Sequence, residues 1–312
     1  MYNLDSHYEN IFHALKDIIT HRRVFYLLPY GSSSPNNVES ITDDLNEVNN
    51  HLRKTRRPPM LSDGPLLFFY DQEPILGEYN HELFAFIRSH RGPVVLVSTE
   101  KDSDPLTAIL DKFKFKSVYY FHHAFAAHDW YRGYRYDSRL IPIGRRNIKK
   151  KFISFNRLTS NLRVYRSLLI SELYKRNLLE QGYVSYSDVC PDNNQNYVRN
   201  LSDARDKNLI SPDLCTETIE NIAHCTLPLR IDFKDAEFIP NHSFILSAIE
   251  QTQESFCYLV TETCFWERKK HLTEKIFKPI VSRMPFVLVG PAHNLKYLRE
   301  YGFKTFSPWI DE

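Results

Sequence analysis

The chain has 312 residues, of which 42% are hydrophobic and 25% charged, and a formal net charge of +2. That length suits two domains of roughly 150 residues each, and the balance is that of an ordinary soluble globular protein rather than a polycation. No segment approaches the roughly 20 apolar residues of a membrane span, and MYNLDSHYENIF lacks the basic patch and apolar run of a signal peptide.

In chain order, RRVFYLLPYG (Arg22 to Gly31) reads as a strand running into a turn. Two polar loops follow, SSSPNN and HLRKTRRPPM, the second carrying Arg53, Lys54, Arg56 and Arg57. PLLFFYDQEP (Pro65 to Pro74) is a continuous apolar run that stops at acids and a proline. NHELFAFIRSHR has helical spacing, and PVVLVSTEKDSD and SVYYFHHAF read as further buried strands. Short, fully apolar strands separated by helices predict a parallel sheet covered on both faces.

Charge density rises abruptly in IPIGRRNIKKKF (Ile141 to Phe152), which reads as a hinge. A domain boundary is expected there, with domains over 1–147 and 148–312. The alternation then restarts. KFISFNR is a strand. LRVYRSLLISELYKRNLLEQG predicts one helix with Leu162, Tyr165, Leu169, Leu173 and Leu178 along a face, closed by Gly182. VSYS is a strand, PDNNQNYVRNLSDARDKN a loop or exposed helix, NHSFILSAIEQTQ an amphipathic helix and SFCYLVTET a strand. LTEKIFKPIVSRMPFVLVG then holds a short helix and a strand, before a helix near Asn294 to Tyr301 and a strand FKTF. The expected fold class is α/β, with two Rossmann-like domains facing a cleft.

Glycine is scarce, with 9 residues, and neither G-x-G-x-x-G nor G-x-x-x-x-G-K-[ST] occurs. Any phosphate must therefore be held by side chains and helix N-termini. In doubly wound sheets ligands sit at the carboxyl ends of strands. Three polar clusters fall there: Asn156-Arg157, Thr261-Glu262-Thr263, and Thr273-Glu274-Lys275. Thr273 suits an N-cap, which puts Glu274 and Lys275 in the first helical turn. There the free N–H groups and the positive dipole end favour an anion. Lys275 suits a phosphate and Glu274 a ribose diol, although both are also good helix formers on a wet face. Arg157, Arg163 and Arg166 suit diphosphate oxygens or, equally, a solvated basic face.

In the first half, Asp71 and Glu73 stand at the end of a buried strand, where a partly desolvated carboxylate can serve as general base. They alternate, so one of them is expected to face the cleft. FHHAFAAHDWYRGYRY offers His122, His123, His128, Asp129 and Trp130 as a binding wall for an acceptor. The histidine spacing suits no standard metal pair, and no metal is expected. The five cysteines are an odd number without C-x-x-C, which points to free thiols, a reducing compartment and a cytoplasmic location.

From FISFNR through TETCF and LTEKIFKPIVSRMPFVLVG to LREYGFKTF, the chain resembles the nucleotide-sugar-binding half of GT-B glycosyltransferases. The likeness is to the α1,3-fucosyltransferase-like enzymes and their viral, phage or bacterial relatives. It covers roughly Phe152 to Phe306. It implies that Glu274 takes the ribose and Lys275 the phosphates of a nucleotide-diphosphate sugar, with an arginine near Arg157 or Arg163 on the diphosphate. It also implies that Q-E-P stands where the family has E-S-P, which points to Glu73 as base with Asp71 in reserve. The family's usual C-terminal crossing helix has no counterpart expected before the chain ends at WIDE.

The expected activity is sugar transfer from a nucleotide sugar, as co-substrate, to an acceptor hydroxyl, inverting and without a metal or resident cofactor. The acceptor is a glycan or lipopolysaccharide. The alternative is a hydroxymethylated DNA base, as in phage DNA modification, favoured by Arg53 to Arg57 and RRNIKKK. A non-catalytic nucleotide- or nucleic-acid-binding protein, and a hydrolase or phosphorylase of the same shape, are the remaining rivals.

Overall fold

The computed structural model describes residues 25–27, 66–70, 74–75, 84, 87–88, 92–119, 123, 140–231, 246, 248–307 and 309–310. It is a mixed α/β chain with two four-stranded, all-parallel sheets. By its internal contacts the chain divides into two compact units. One comprises Met1–Phe125, Glu267–His271 and His293–Glu312, and the other Ala126–Trp266 and Leu272–Ala292.

The first unit holds strands β1 (Phe25–Leu27), β2 (Leu66–Tyr70), β3 (Val94–Ser98) and β4 (Lys116–Tyr119), in that order across the sheet. All five residues of β3 are buried, as an interior parallel strand covered on both faces requires. Helix α1 (Asp104–Phe113) joins β3 to β4. It was not expected from the sequence, although its signals are present: Ser103 is the N-cap and accepts from Leu106 N–H at 3.2 Å, and Pro105 sits in the first turn. Ile109 and Phe113 turn inward to a core with Phe68, Ile75, Phe84, Ile87, Leu96 and Phe115, in which the Phe113 and Phe115 rings stack at 5.7 Å. Phe84, Ile87 and Arg88 are helical, as the spacing in NHELFAFIRSHR predicts.

The second unit holds β5 (Lys150–Asn156), β6 (Gly182–Tyr186), β9 (Ser255–Thr261) and β10 (Phe286–Val289), ordered β10-β9-β5-β6. A small antiparallel pair, β7 (Val189–Cys190) and β8 (Gln195–Asn196), precedes helix α3 (Tyr197–Asp206). Helix α2 (Tyr165–Lys175) packs on α4 (Pro212–Ala223), and α4 on α3. Ile170, Val184, Tyr186 and Ile222 form one buried cluster; Val164, Leu201, Ala204, Ile210 and Cys215 form another. The polar stretch PDNNQNYVRNLSDARDKN thus contributes a helix whose inner face, Asn200, Leu201 and Ala204, is buried.

Several expectations are corrected. The long helix closed by Gly182 is instead a 3-10 turn (Asn161–Val164) followed by α2, which stops at Lys175. Asn177 takes a left-handed φ of 55°, and Leu178 N–H reaches back to the Leu173 carbonyl, a C-terminal stop made by asparagine. Gly182 opens β6, and it is glycine for a packing reason: a Cβ there would lie 2.4 Å from the Phe152 ring. The inner face of α2 is Tyr165, Arg166, Ser167, Ile170, Ser171 and Leu173, polar as well as apolar, while Leu162 and Leu169 are only half-buried. Within NHSFILSAIEQTQ the helix α5 spans Ile249–Gln253, and Ala248 before it has a left-handed φ of 48°; 241–245 and 247 lie outside the described residues. FKTF forms no strand. The helices α6 (Glu274–Val281) and α7 (Asn294–Glu300) fall where the sequence puts them.

Candidate functional site

Glu262 follows the last residue of the interior strand β9 and is wholly buried. Its Oε1 accepts from Thr273 N–H at 3.3 Å, and its Oε2 accepts from the Thr273 hydroxyl at 2.5 Å and from Thr263 N–H at 3.3 Å. Thr273 is the N-cap of α6; its hydroxyl in turn accepts from Lys275 N–H at 3.3 Å. The strand-end cluster and the helix-start cluster are therefore one hydrogen-bonded unit. Burial pushes the Glu262 carboxyl above its ordinary range; the nearby Lys275 charge and the Thr273 hydrogen bonds pull the other way.

Lys275 crosses the mouth of this unit. Its ammonium lies 2.8 Å from Glu274 Oε1, 3.2 Å from the Thr263 hydroxyl and 3.4 Å from the Thr273 hydroxyl. The Lys275 side chain keeps 30% of its exposure, and that of Glu274 keeps 6%. Below them Ile276, Phe277 and Val281 are buried, and each such side chain contributes about 1.5–3 kcal/mol by leaving water. The helix is thereby anchored with its first turn at the sheet's carboxyl edge, where backbone N–H groups favour an anion.

The arginines divide by role. Arg166 is 3% exposed. Its guanidinium donates to the carbonyls of Leu158 at 2.9 Å, Thr261 at 3.1 Å and Glu262 at 2.9 Å. It is thus spent on the backbone at the end of β9 and braces that end, where the sequence reading put it on a diphosphate. Tyr165 assists: its hydroxyl donates to the Glu262 carbonyl and its ring stacks on Phe265 at 4.6 Å. Trp266 ties the same loop to the Leu162 carbonyl at 3.0 Å. Arg163 is half-buried and pairs with Asp192 at 3.5 Å, and Arg157 is exposed. Asn156, at the end of β5, is fully buried; its amide donates to Ser154 Oγ at 3.0 Å, and its Oδ1 accepts no hydrogen bond from the described residues. Thr261 Oγ1 donates to the Phe155 carbonyl at 3.0 Å, locking β9 to β5.

Of the candidate acceptor residues, His123 is buried, with its ring edge-on to His271 at 6.1 Å. His122, His128, Asp129 and Trp130, both candidate bases Asp71 and Glu73, and the basic loop Arg53 to Arg57 lie outside the described residues.

The sequence reading missed a second cluster, in the first unit. Glu100, two residues past β3, accepts from Ile75 N–H at 2.6 Å, from the Ser103 hydroxyl at 2.5 Å and from the Lys269 ammonium at 3.1 Å. Burial raises its carboxyl above the ordinary range, against the opposing pull of Lys269. The only available signal was a charged pair, Glu100 and Lys269, separated by 169 residues, which no local pattern connects.

Among the described residues no group of three or more His, Cys, Asp or Glu could hold a metal ion, and no helix is long and apolar enough to cross a membrane. The five cysteines are free. Compared with protein-family models, curated proteins and solved structures, the chain matches none.

Proposed function

We propose that this chain is a GT-B-type glycosyltransferase that moves a sugar from a nucleotide-diphosphate donor to an acceptor hydroxyl. In this reading the unit of Ala126–Trp266 and Leu272–Ala292 binds the donor and the other unit the acceptor, each Rossmann-like, so the donor domain excludes 267–271 and 293–312. The observation that carries it is the hydrogen-bonded unit Thr261-Glu262-Thr263 with Thr273-Glu274-Lys275 at the carboxyl edge of a parallel sheet. It offers a helix N-terminus, a partly exposed ammonium and a carboxylate in one turn, which is the chemistry a ribose diphosphate needs.

Accessibility supports the roles of Lys275 and Arg157. Glu274 would take the ribose hydroxyls. Lys275, with Arg157 and Arg163, would neutralise the departing diphosphate, a charge that grows in the transition state and so rewards preplaced cations. Glu262 and Arg166, both buried and fully engaged, would hold the helix start and strand end in place. Glu73, with Asp71 in reserve, would take the acceptor proton as its oxygen attacks the anomeric carbon through an oxocarbenium-like state. A single base without a covalent intermediate gives inversion. A glycan or lipopolysaccharide is the acceptor put first.

The test is release of nucleoside diphosphate from a panel of nucleotide sugars, alone and with glycan or hydroxymethylated-DNA acceptors. Acceptor-dependent release establishes transfer and names both substrates. Release without acceptor means hydrolysis. Nucleotide binding with no release from any donor means a binding protein and ends the transferase reading.

A further inference from the structure

We propose that Glu100 and Lys269 are a positioning pair that fixes the backbone just after the Asp71–Glu73 stretch; this rests on the reading of that stretch as the home of the base. Ile75, Glu100 and Lys269 all belong to the first unit, and none is more than 2% exposed. Ile75 N–H donates to Glu100 Oε1 at 2.6 Å, and the Ile75 carbonyl accepts from the Lys269 ammonium at 2.5 Å. One residue is thus held at both its polar groups by side chains 25 and 194 positions away. Ser103 donates to the second Glu100 oxygen, and Glu267 Oε2 lies 2.6 Å from the ammonium as an ion pair.

A buried ion pair is a poor way to gain stability, because apolar side chains of equal volume often do as well. What this pair does that apolar side chains cannot is specify where one peptide unit sits. Ile75 is separated from Glu73 only by Pro74, whose ring fixes φ. Each residue spans at most about 3.6 Å, so Glu73, two positions earlier in the chain, is tethered within about 7 Å of the held peptide. A displacement of about 1 Å at a reacting group can cost roughly 100-fold in rate, so anchoring the peptide that follows a base narrows the positions open to it. The segment that supplies the lysine, Glu267–His271, is itself held by paired backbone bonds between Lys101 and Lys270, at 3.0 and 2.7 Å.

The experiment uses the full chain and four variants: Lys269→Met, Glu100→Gln, the double Glu100→Gln/Lys269→Met, and Glu73→Gln. The double variant removes both charges of the pair and leaves only Glu267, whose side chain keeps 22% of its exposure, so it serves if Lys269→Met does not fold. Hydrogen exchange is read on peptides covering residues 70–76 and 255–281. Faster exchange by about tenfold or more at 70–76, with 255–281 unchanged, is the expected result. With the donor and acceptor found by the panel, kcat should fall about 100-fold in the double variant while the donor KM stays within about twofold. Glu100→Gln, which keeps an acceptor for Ile75 N–H, should lose less than the double variant. Exchange that rises equally everywhere, or wild-type exchange and kcat in the double variant, overturns the pair. If Glu73→Gln keeps the wild-type rate while the double variant loses it, the pair stands and Glu73 is not the base. If no donor turns over, the transferase reading fails and exchange alone decides the pair.

Discussion

The two parallel sheets carry the same device at their carboxyl edges and use it differently. In each, a buried glutamate stands just beyond an interior strand, Glu100 after β3 and Glu262 after β9. In each it accepts at 2.5 Å from the hydroxyl that caps a helix, Ser103 for α1 and Thr273 for α6. In each a lysine supplies the opposing charge. The difference lies in the lysine. Lys269 has no exposed side-chain surface and grips the backbone of Ile75. Lys275 keeps 30% of its exposure and, among the described residues, its ammonium hydrogen-bonds to side-chain oxygens. A buried cation is committed to the protein, whereas a half-exposed one can exchange its partners for a ligand's phosphate. Similar caps thus stand beside a wholly buried lysine in one unit and a partly exposed one in the other.

That contrast breaks first at the lysines. Lys269→Met strands the Glu100 charge without its partner and should lower unfolding free energy by about 3–5 kcal/mol, read by urea denaturation; a loss under 1 kcal/mol would sink the assignment of this pair as a buried structural one. Lys275→Ala should leave stability within about 1 kcal/mol, since its ion pair is partly in water, yet, on the proposed function, reduce transfer about 100-fold by removing the charge proposed to meet the diphosphate. Equal losses of stability in the two variants would erase the comparison.

The caps sharpen it. Ser103→Ala and Thr273→Ala should each cost about 1–2 kcal/mol of stability, because each removes an N-cap and a donor to a buried carboxylate. Only Thr273→Ala should also weaken nucleoside diphosphate binding, measured by calorimetry. Weakened binding in Ser103→Ala would mean that the two caps do not differ in role.

The smallest effect is in pH. Burial raises the Glu262 carboxyl above its ordinary value of 4.5. A carboxyl with a raised folded-state pKa contributes stability below its unfolded value, and that contribution is lost as pH rises through the raised one. Glu262→Gln does not titrate, so its stability relative to the parent should climb as pH goes from about 4 to about 8. Melting temperatures of both proteins across that range check the sign; a falling difference contradicts it.

Much of the architecture was legible locally. Apolar runs such as PVVLVS and FCYLV became interior parallel strands; the first is buried throughout Val94–Ser98, as a strand covered on both faces requires, while the second leaves Phe256 exposed. The start of α6 at Thr273 was legible from one capping residue. The missed helix α1 and the false end at Gly182 came from turn chemistry, where Ser103, Pro105 and Asn177 outweighed apolar spacing. Within the site, the residue types of the Thr-Glu-Lys turn were readable, but the reading put Arg166 on a ligand. Its sequence shows a basic side chain near a helix start; only packing shows three carbonyls already waiting for it.

By itself, then, the sequence determined an α/β chain with parallel strands, the helix that begins at Thr273 and the candidates around it. These follow from apolar periodicity and capping, which act over a few residues. Tertiary structure alone decided that Glu262 accepts from Thr273, that Arg166 closes strand ends, and that Glu100 and Lys269 meet on Ile75. Those contacts join residues 11, 95 and 169 positions apart. Burial makes each of them: a charged group removed from water must find its partner wherever the fold places one.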